Sequence, residues 1–241
     1  MTHLKKIATI HTDFPEKFGI PRQSGIIDEL EGAIVFENEY ADPESVKGLE
    51  GFSHIWLLWQ FDVPDGSFRP TVRPPRLGGN THMGVFATRS PFRPNPIGLS
   101  CVRLEKIEII KNRPILHVKG ADLRDKTAIL DIKPYLPFTD AHPEATAGWT
   151  KADAVINAPS DNPDIEGTYG PKKVSIPPQL LSLVPEEKQK ALIKVLAQDP
   201  RPAYHEDPER RYGLLFADMN ISFRVEDNLI IVTGIEKNSN P

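Results

Sequence analysis

The chain has 241 residues, 39% of them hydrophobic, with 33 acidic against 29 basic side chains and a net charge of −4. That length allows a sizeable core in one domain or two, and the mild negative charge excludes a globally basic body, so any nucleic-acid site must be a local patch. One cysteine, Cys101, excludes an internal disulfide and a four-cysteine zinc site, and the seven histidines form no HxH or HExxH pair, so no structural metal is expected.

The opening residues, MTHLKKIATIHTDF, hold no apolar core of signal-peptide length. The most apolar run, residues 54–61, is far short of the ~20 residues that cross a bilayer. The expectation is a soluble, cytoplasmic protein. Residues 4–10, 33–36, 54–61, 83–88, 97–110 and 114–118 are predicted strands, rich in β-branched, aromatic and leucine residues and separated by Gly, Pro, Asn and Asp. Between them, Asp42 is expected to cap a short helix at 43–47 that starts on Pro43. Within 97–110, Val102, Leu104 and Ile107 interleave with Arg103, Glu105, Lys106 and Glu108, and the alternation slips once, as at a bulge. The 24 prolines, about twice the average usage of roughly 5%, argue for ordered loops between short elements. The predicted fold is mainly β: an antiparallel, non-Rossmann β-barrel over 1–140, with a sandwich as the other solution for so many strands.

Residues 141–170 lack periodicity and read as a linker or ordered excursion. From 171 to 241 regular structure resumes. Residues 184–198 are a predicted helix, with Pro185 and two glutamates in the first turn and an apolar stripe of Leu192, Val195 and Leu196. Strands are predicted at 212–217, 221–225 and 229–233, with Asp227 and Asn228 as a hairpin turn. This small α+β unit of ~70 residues is expected to pack on the first domain or on a second subunit.

Residues 66–104 carry the chemistry. They hold six arginines, Arg69, Arg73, Arg76, Arg89, Arg93 and Arg103, and no Asp, Glu or Lys. Arginine's planar fork binds phosphate and carboxylate through two hydrogen bonds and stacks on bases. The surrounding prolines and glycines stiffen these loops. Solvated surface arginines are the alternative, but like charges repel and a fold gains nothing by clustering them. An anion site is the better reading, with RNA backbone as the natural extended anion.

Carboxylates flank the stretch. Asp62 and Asp65 precede it. Asp122, Asp125 and Asp131 follow, where each suits either a turn cap or a ligand contact. Asp131 stands apart because it interrupts the apolar run 128–132. Tyr135 suits base stacking or core filling equally. Trp56, Trp59 and Phe61 suit core packing better than a stacking platform. His54 and His82 have no catalytic partner by spacing. There is no GxSxG, Walker A, kinase or GxGxxG motif, which argues against a Rossmann-type nucleotide site.

Longer motifs add to this. PRQ at 21–23, RPTVRPPRLGGN at 69–80, GVFATRSPFRPNPIGLS at 84–100, DIKPYLPF at 131–138 and DPRPAY at 199–204 resemble the TrmO family, also called TsaA-like or YaeB. The resemblance implies S-adenosylmethionine-dependent methylation of N6 of the modified adenosine t6A at position 37 of tRNA, beside the anticodon. It also implies a β-barrel that binds the cofactor without a Rossmann fold, and a homodimer. By matching motif positions it implies cofactor contacts at Pro21, Arg22, Gln23, Asp62, Val63, Arg89, Leu99, Leu123, Arg124, Asp125 and Lys126. Where the family pattern has DGTP this chain has DKTA, so a positive φ at residue 126 would fall on a lysine.

Methyl transfer needs nucleophile, carbon and leaving sulfur in line. An arginine, Arg22 or Arg89, is expected to take the cofactor carboxylate, and Leu99 to wall its adenine. Asp131 and Tyr135 are the candidates to accept the N6 proton as charge develops. Arg69, Arg73, Arg76 and Arg93 are left for tRNA phosphates, with Arg201 and Tyr204 of the tail as further contacts to the anticodon arm. The rival readings are a non-enzymatic RNA-binding β-barrel, which has no need of PRQ beside an aspartate cluster, and a hydrolase, for which no nucleophile–base pair is present.

Overall fold

The computed structural model describes residues 4–64, 66–74, 77, 81–150, 172–201 and 210–238. Expected contacts at Arg76 and Tyr204, and most of the 141–170 segment, therefore lie outside the described residues.

Six strands close a barrel: β1 (Ala8–Thr12), β2 (Glu31–Phe36), β3 (His54–Gln60), β6 (Ile97–Ile110), β7 (Arg113–Lys119) and β8 (Thr127–Pro134). The order around it is β1-β2-β7-β6-β3-β8, and every neighbouring pair is antiparallel. Closure leaves no strand edge unpaired. Alternate residues point inward, so Ile10, Ile34, Leu57, Val102, Leu116 and Ile129 fill the interior at 1% exposure or less. Each such aliphatic side chain contributes about 1.5–3 kcal/mol by leaving water.

The slip in the alternation of β6 is a register shift against β7 between Leu104 and Lys106. Asp42 caps a 3-10 turn at Pro43–Val46, its carboxylate accepting from the Glu44 amide at 3.0 Å. Two expectations fail here. Residues 83–88 read as one strand, but only Met83–Gly84 (β5) is extended, paired with Thr71–Val72 (β4) in a short ribbon. Val85–Ala87 then coils into a 3-10 turn. Conversely β8 has no predicted counterpart, because Asp131 and Lys133 break its apolar pattern. It pairs with both β1 and β3 and completes the barrel.

A second sheet follows the order β10 (Tyr212–Phe216), β11 (Met219–Glu226), β12 (Leu229–Lys237), β9 (Lys173–Ser175), with β9 parallel to β12. Asp227 and Asn228 make the β11–β12 turn, with Asp227 at φ 48°. Between β9 and β10 lie α2 (Pro178–Leu181) and α3 (Glu186–Ala197), after a short α1 (Pro137–Asp140). Helix α3 buries Leu192, Val195 and Leu196 on one face.

The core under this second sheet also takes in Phe14, Ile27 and Leu30 from the loop between β1 and β2. At Gly19, φ is +89° and an added Cβ would collide with the Leu214 side chain. Only glycine lets the loop lie this close to the sheet. Glu29 of the same loop binds Lys190 at 2.9 Å and Lys194 at 2.7 Å on α3. Burial pushes the Glu29 carboxyl up, but the two lysine hydrogen bonds outweigh it and hold its pKa at about 2. The β1–β2 loop thus clasps the second unit through both its ends and, at residues 20–23 in its middle, faces the barrel mouth.

Candidate active site

Four segments converge at one rim of the barrel. Strand β3 ends at Gln60, and the Phe61 amide donates to the Pro96 carbonyl at 2.8 Å, which folds residues 61–63 beside the start of β6. The β1–β2 loop supplies residues 20–23. The stretch after β7 supplies Asp122, Leu123 and Arg124. Together with Thr88, Arg89, Pro91 and Arg93 they enclose a cavity of about 500 Å³. That is within the usual range for small-molecule sites, roughly 300–1,000 Å³. Its walls are partly apolar, including Ile20, Trp59, Phe61, Val63, Ile97 and Leu99. Leu99 is 51% exposed, an apolar side chain on the surface that faces this hollow.

Polar groups sit among these walls. Asp62 pairs with Arg124 at 3.2 Å, and its carbonyl accepts from Lys17 Nζ at 2.9 Å. Arg89 donates to Gln23 Oε1 across the hollow. Deeper in the wall, Trp59 Nε1 donates to Ser100 Oγ at 3.0 Å and Ser100 Oγ donates to Asp122 Oδ1 at 2.6 Å. Burial pushes the Asp122 carboxyl above its ordinary pKa, and hydrogen bonds from Ser100 and nearby backbone amides, together with the charge of Arg89, only partly offset this. Gly98 makes the Trp59 placement possible. It pairs with Trp59 across the β3–β6 ladder, and an added Cβ would strike the indole.

Of the eleven expected cofactor residues, nine line this cavity: Pro21, Arg22, Gln23, Asp62, Val63, Arg89, Leu99, Leu123 and Arg124. The other two do not. The Asp125 carboxylate faces β1, accepting from the Thr12 amide at 3.2 Å and meeting His11 Nδ1 at 3.2 Å. Lys126 takes the left-handed conformation, φ 65°, and its amide donates to the Ile10 carbonyl at 2.9 Å. The two expected catalytic residues also fall elsewhere. Asp131 pairs with Lys133 at 2.9 Å, and Tyr135 packs against His54 and Trp56 at the far end of β3. Neither lines the cavity. Composition drew attention to Asp131 because it interrupts an apolar run; in space that run is a strand, and the Asp131 side chain stays 46% exposed on it.

The arginine-rich stretch divides. Arg89 and Arg93 line the cavity. Arg93 Nη1 also donates to the Val85 and Thr88 carbonyls, at 3.2 and 2.7 Å, so it fixes the turn that carries Arg89. Arg69 lies over the Phe92 ring at 4.4 Å, and Arg73 Nε donates to His82 Nε2 at 2.9 Å beside the β4–β5 ribbon. All these partners are uncharged groups or a histidine; among the described arginines of the stretch, only Arg103, at its end, makes an ion pair with an acid, Glu105 at 3.3 Å. Arg201 forks onto Asp199 with two contacts of 2.8 Å and a side chain only 15% exposed. Among the described residues, no cluster of three His, Cys, Asp or Glu side chains is placed to hold a metal ion, and no helix is long and apolar enough to cross a membrane.

Two family models match the chain: the tRNA-methyltransferase O N-terminal domain over residues 9–141 and the TrmO C-terminal domain over residues 173–238. The tRNA (adenine(37)-N6)-methyltransferase of Escherichia coli (strain K12) is 42% identical over 237 residues, covering 96% of this chain and 97% of that protein. A Pseudomonas aeruginosa protein named as a candidate S-adenosylmethionine-dependent methyltransferase is 38% identical over 224 residues, 92% of each chain. A crystal structure of TrmO from Pseudomonas aeruginosa superposes with a TM-score of 0.74 at 32% identity, over 98% of this chain and 100% of that one.

Proposed function

The chain belongs to the TrmO family of tRNA methyltransferases, and from that premise we propose that it methylates N6 of t6A at position 37 of tRNA, giving m6t6A, with S-adenosylmethionine as methyl donor. The observation that carries the reading is the cavity itself. It joins cationic forks, carboxylates and an apolar wall in a space of about 500 Å³, the donor set that an amino-acid nucleoside requires. Arg22 and Arg89 suit its carboxylate, Asp62 its hydroxyl or ammonium groups, and Leu99 with Val63 its flat base. S-adenosylmethionine, when bound, supplies a methyl group carried on a sulfonium.

The protein's share is binding, orientation and exclusion of water. Arg93 keeps the 85–88 turn closed, and the clasp of the β1–β2 loop on the second sheet keeps Pro21, Arg22 and Gln23 at the rim. Arg69 and Arg73 lie outside the cavity lining and are the proposed contacts for tRNA phosphates. Position 37 lies in the anticodon loop, so exposing its base costs less than flipping one from a duplex. We place the barrel at 1–140, a connecting segment at 141–170 and the small α+β unit at 171–241, and we take the enzyme to be a cytoplasmic homodimer.

Mass spectrometry of nucleosides from tRNA incubated with the protein and S-adenosylmethionine tests the reading. One added methyl on t6A is expected. Methylation of unmodified adenosine 37 alone, or of a different nucleoside, would overturn the assignment. Calorimetry that detects no cofactor binding at millimolar concentration would return the non-enzymatic RNA-binding reading.

A further inference from the structure

Resting on that functional reading, we propose that Asp122 is the catalytic residue that takes the N6 proton of the target adenosine, with Ser100 and Trp59 as its positioning residues. The cavity narrows the choice sharply. Among the described residues, seven ionisable side chains line it, and five are Lys or Arg, which are protonated at neutral pH and cannot accept a proton. The other two are Asp62 and Asp122, and no His, Cys, Tyr or Glu among the described residues lines the cavity.

Their surroundings separate the two carboxylates. Asp62 is at the rim, its side chain 69% exposed and paired with Arg124. Water and the Arg124 guanidinium already engage its oxygens. Asp122 is set into the wall, held by Ser100 and, among the described residues, without an ion pair. Burial pushes the Asp122 carboxyl above its ordinary pKa. The hydrogen-bond chain also has a fixed direction. An indole nitrogen only donates, so the Ser100 oxygen must accept from Trp59 and direct its own proton to Asp122. That occupies one acceptor position on Oδ1 and orients the carboxylate. Arg89 is the cation whose charge reaches Asp122, while Asp62, Arg124 and Lys17 stand at the rim.

N6 of an adenosine is a poor nucleophile because its lone pair is delocalised into the ring. As the new N–C bond forms, the carbon–sulfur bond breaks with its electron pair left on sulfur. On the protein side, the N6–H bond breaks, its electron pair stays on nitrogen, and its proton goes to Asp122. The carboxylate becomes a neutral acid, a form its buried setting favours, and returns the proton to solvent after product leaves. A base positioned this way contributes roughly 10²–10⁴-fold in rate.

The test is single-turnover methylation of t6A-containing tRNA by Asp122→Asn and Ser100→Ala at saturating cofactor. Calorimetry would give cofactor affinity, and infrared difference spectra of the cofactor-free proteins would follow the carboxyl band against pH. Asp122→Asn is expected to lose about 100-fold or more in rate, with cofactor affinity within about threefold of wild type. It should also lose the acid limb of the pH–rate profile. Ser100→Ala, which removes a hydrogen bond to the charged form, should move both that limb and the infrared titration to higher pH.

A folded Asp122→Asn that methylates at the wild-type rate, or that keeps the acid limb, overturns the proposal. A rate fully restored by excess cofactor, with affinity weakened tenfold or more, would make Asp122 a cofactor ligand instead and also overturns it. If Asp122→Asn does not fold, Ser100→Ala decides, and an unmoved limb overturns it. Wild-type protein that methylates nothing overturns the functional reading and this proposal together, whereas an active wild type beside an unimpaired variant overturns this proposal alone.

Discussion

Arg89 and Arg73 come from the same acid-poor stretch, yet the fold gives them different surroundings. Arg89 lies in the cavity wall and reaches across to Gln23, a residue of the β1–β2 loop. Arg73 stays on the outer ribbon, where its partner, His82, belongs to the opposite side of the same hairpin. Local charge excess says that an anion is bound. In the account proposed here, the partner brought from a distant part of the chain separates an arginine for an enclosed small molecule from one for an extended polyanion. In the proposed division, cavity arginines act at short range in a low-dielectric setting, and ribbon arginines act through a screened field.

Substitutions in the two regions can break that division. The largest effect should come from Arg89→Ala. A hydrogen bond to a charged group contributes about 1.5–3 kcal/mol, so cofactor affinity should fall about 10- to 150-fold in calorimetry while tRNA affinity measured without cofactor changes little. Equal losses for both ligands would merge the two regions into one. A smaller effect is expected for Arg73→Ala with Arg69→Ala. These should weaken tRNA binding several-fold near physiological salt and lower the slope of log affinity against log salt by about one for each phosphate no longer neutralised. Cofactor affinity should hold. The smallest effect should come from Lys126→Gly, just past the cavity wall. A left-handed backbone costs a non-glycine residue roughly 1–2 kcal/mol, partly offset by the looser unfolded chain. Unfolding free energy should rise by up to about 1 kcal/mol in denaturant melts, with both ligand affinities unchanged. A drop in cofactor affinity would place residue 126 in the site after all.

The parts of this division that were legible in the sequence were the local ones. The acid-free arginine run, the Asp42 cap, the slip in β6, the apolar stripe of α3 and the Asp227–Asn228 turn depend on residues close in the chain. What sequence missed depends on contacts across it. Asp122, Asp125 and Asp131 look alike as three aspartates in ten residues. They part only when Ser100 reaches the first, Thr12 and His11 the second, and Lys133 the third. The role of Gly98 is invisible until β3 pairs with β6 and lays Trp59 over it. Phe14, Ile27 and Leu30 sit in a turn-rich loop without periodicity, so nothing local shows that they belong to the second core. The motif resemblance collected the cavity residues because it carries a finished fold's proximity in its pattern. It stopped at Asp125 and Lys126, whose amides, at 2.7 and 2.9 Å from the Phe14 and Ile10 carbonyls, tie the loop to β1 and its exit.

Amide hydrogen exchange of the wild-type protein, taken once with S-adenosylmethionine and once with an anticodon stem-loop RNA, tests the division most directly. The account predicts that cofactor protects residues 20–23, 60–63, 97–99 and 122–124. The RNA should protect the ribbon around 69–74 and 81–86 and leave exchange in the deep wall unchanged when cofactor is absent. A cofactor that leaves the cavity segments unprotected, or two ligands that give the same protection map, would contradict it.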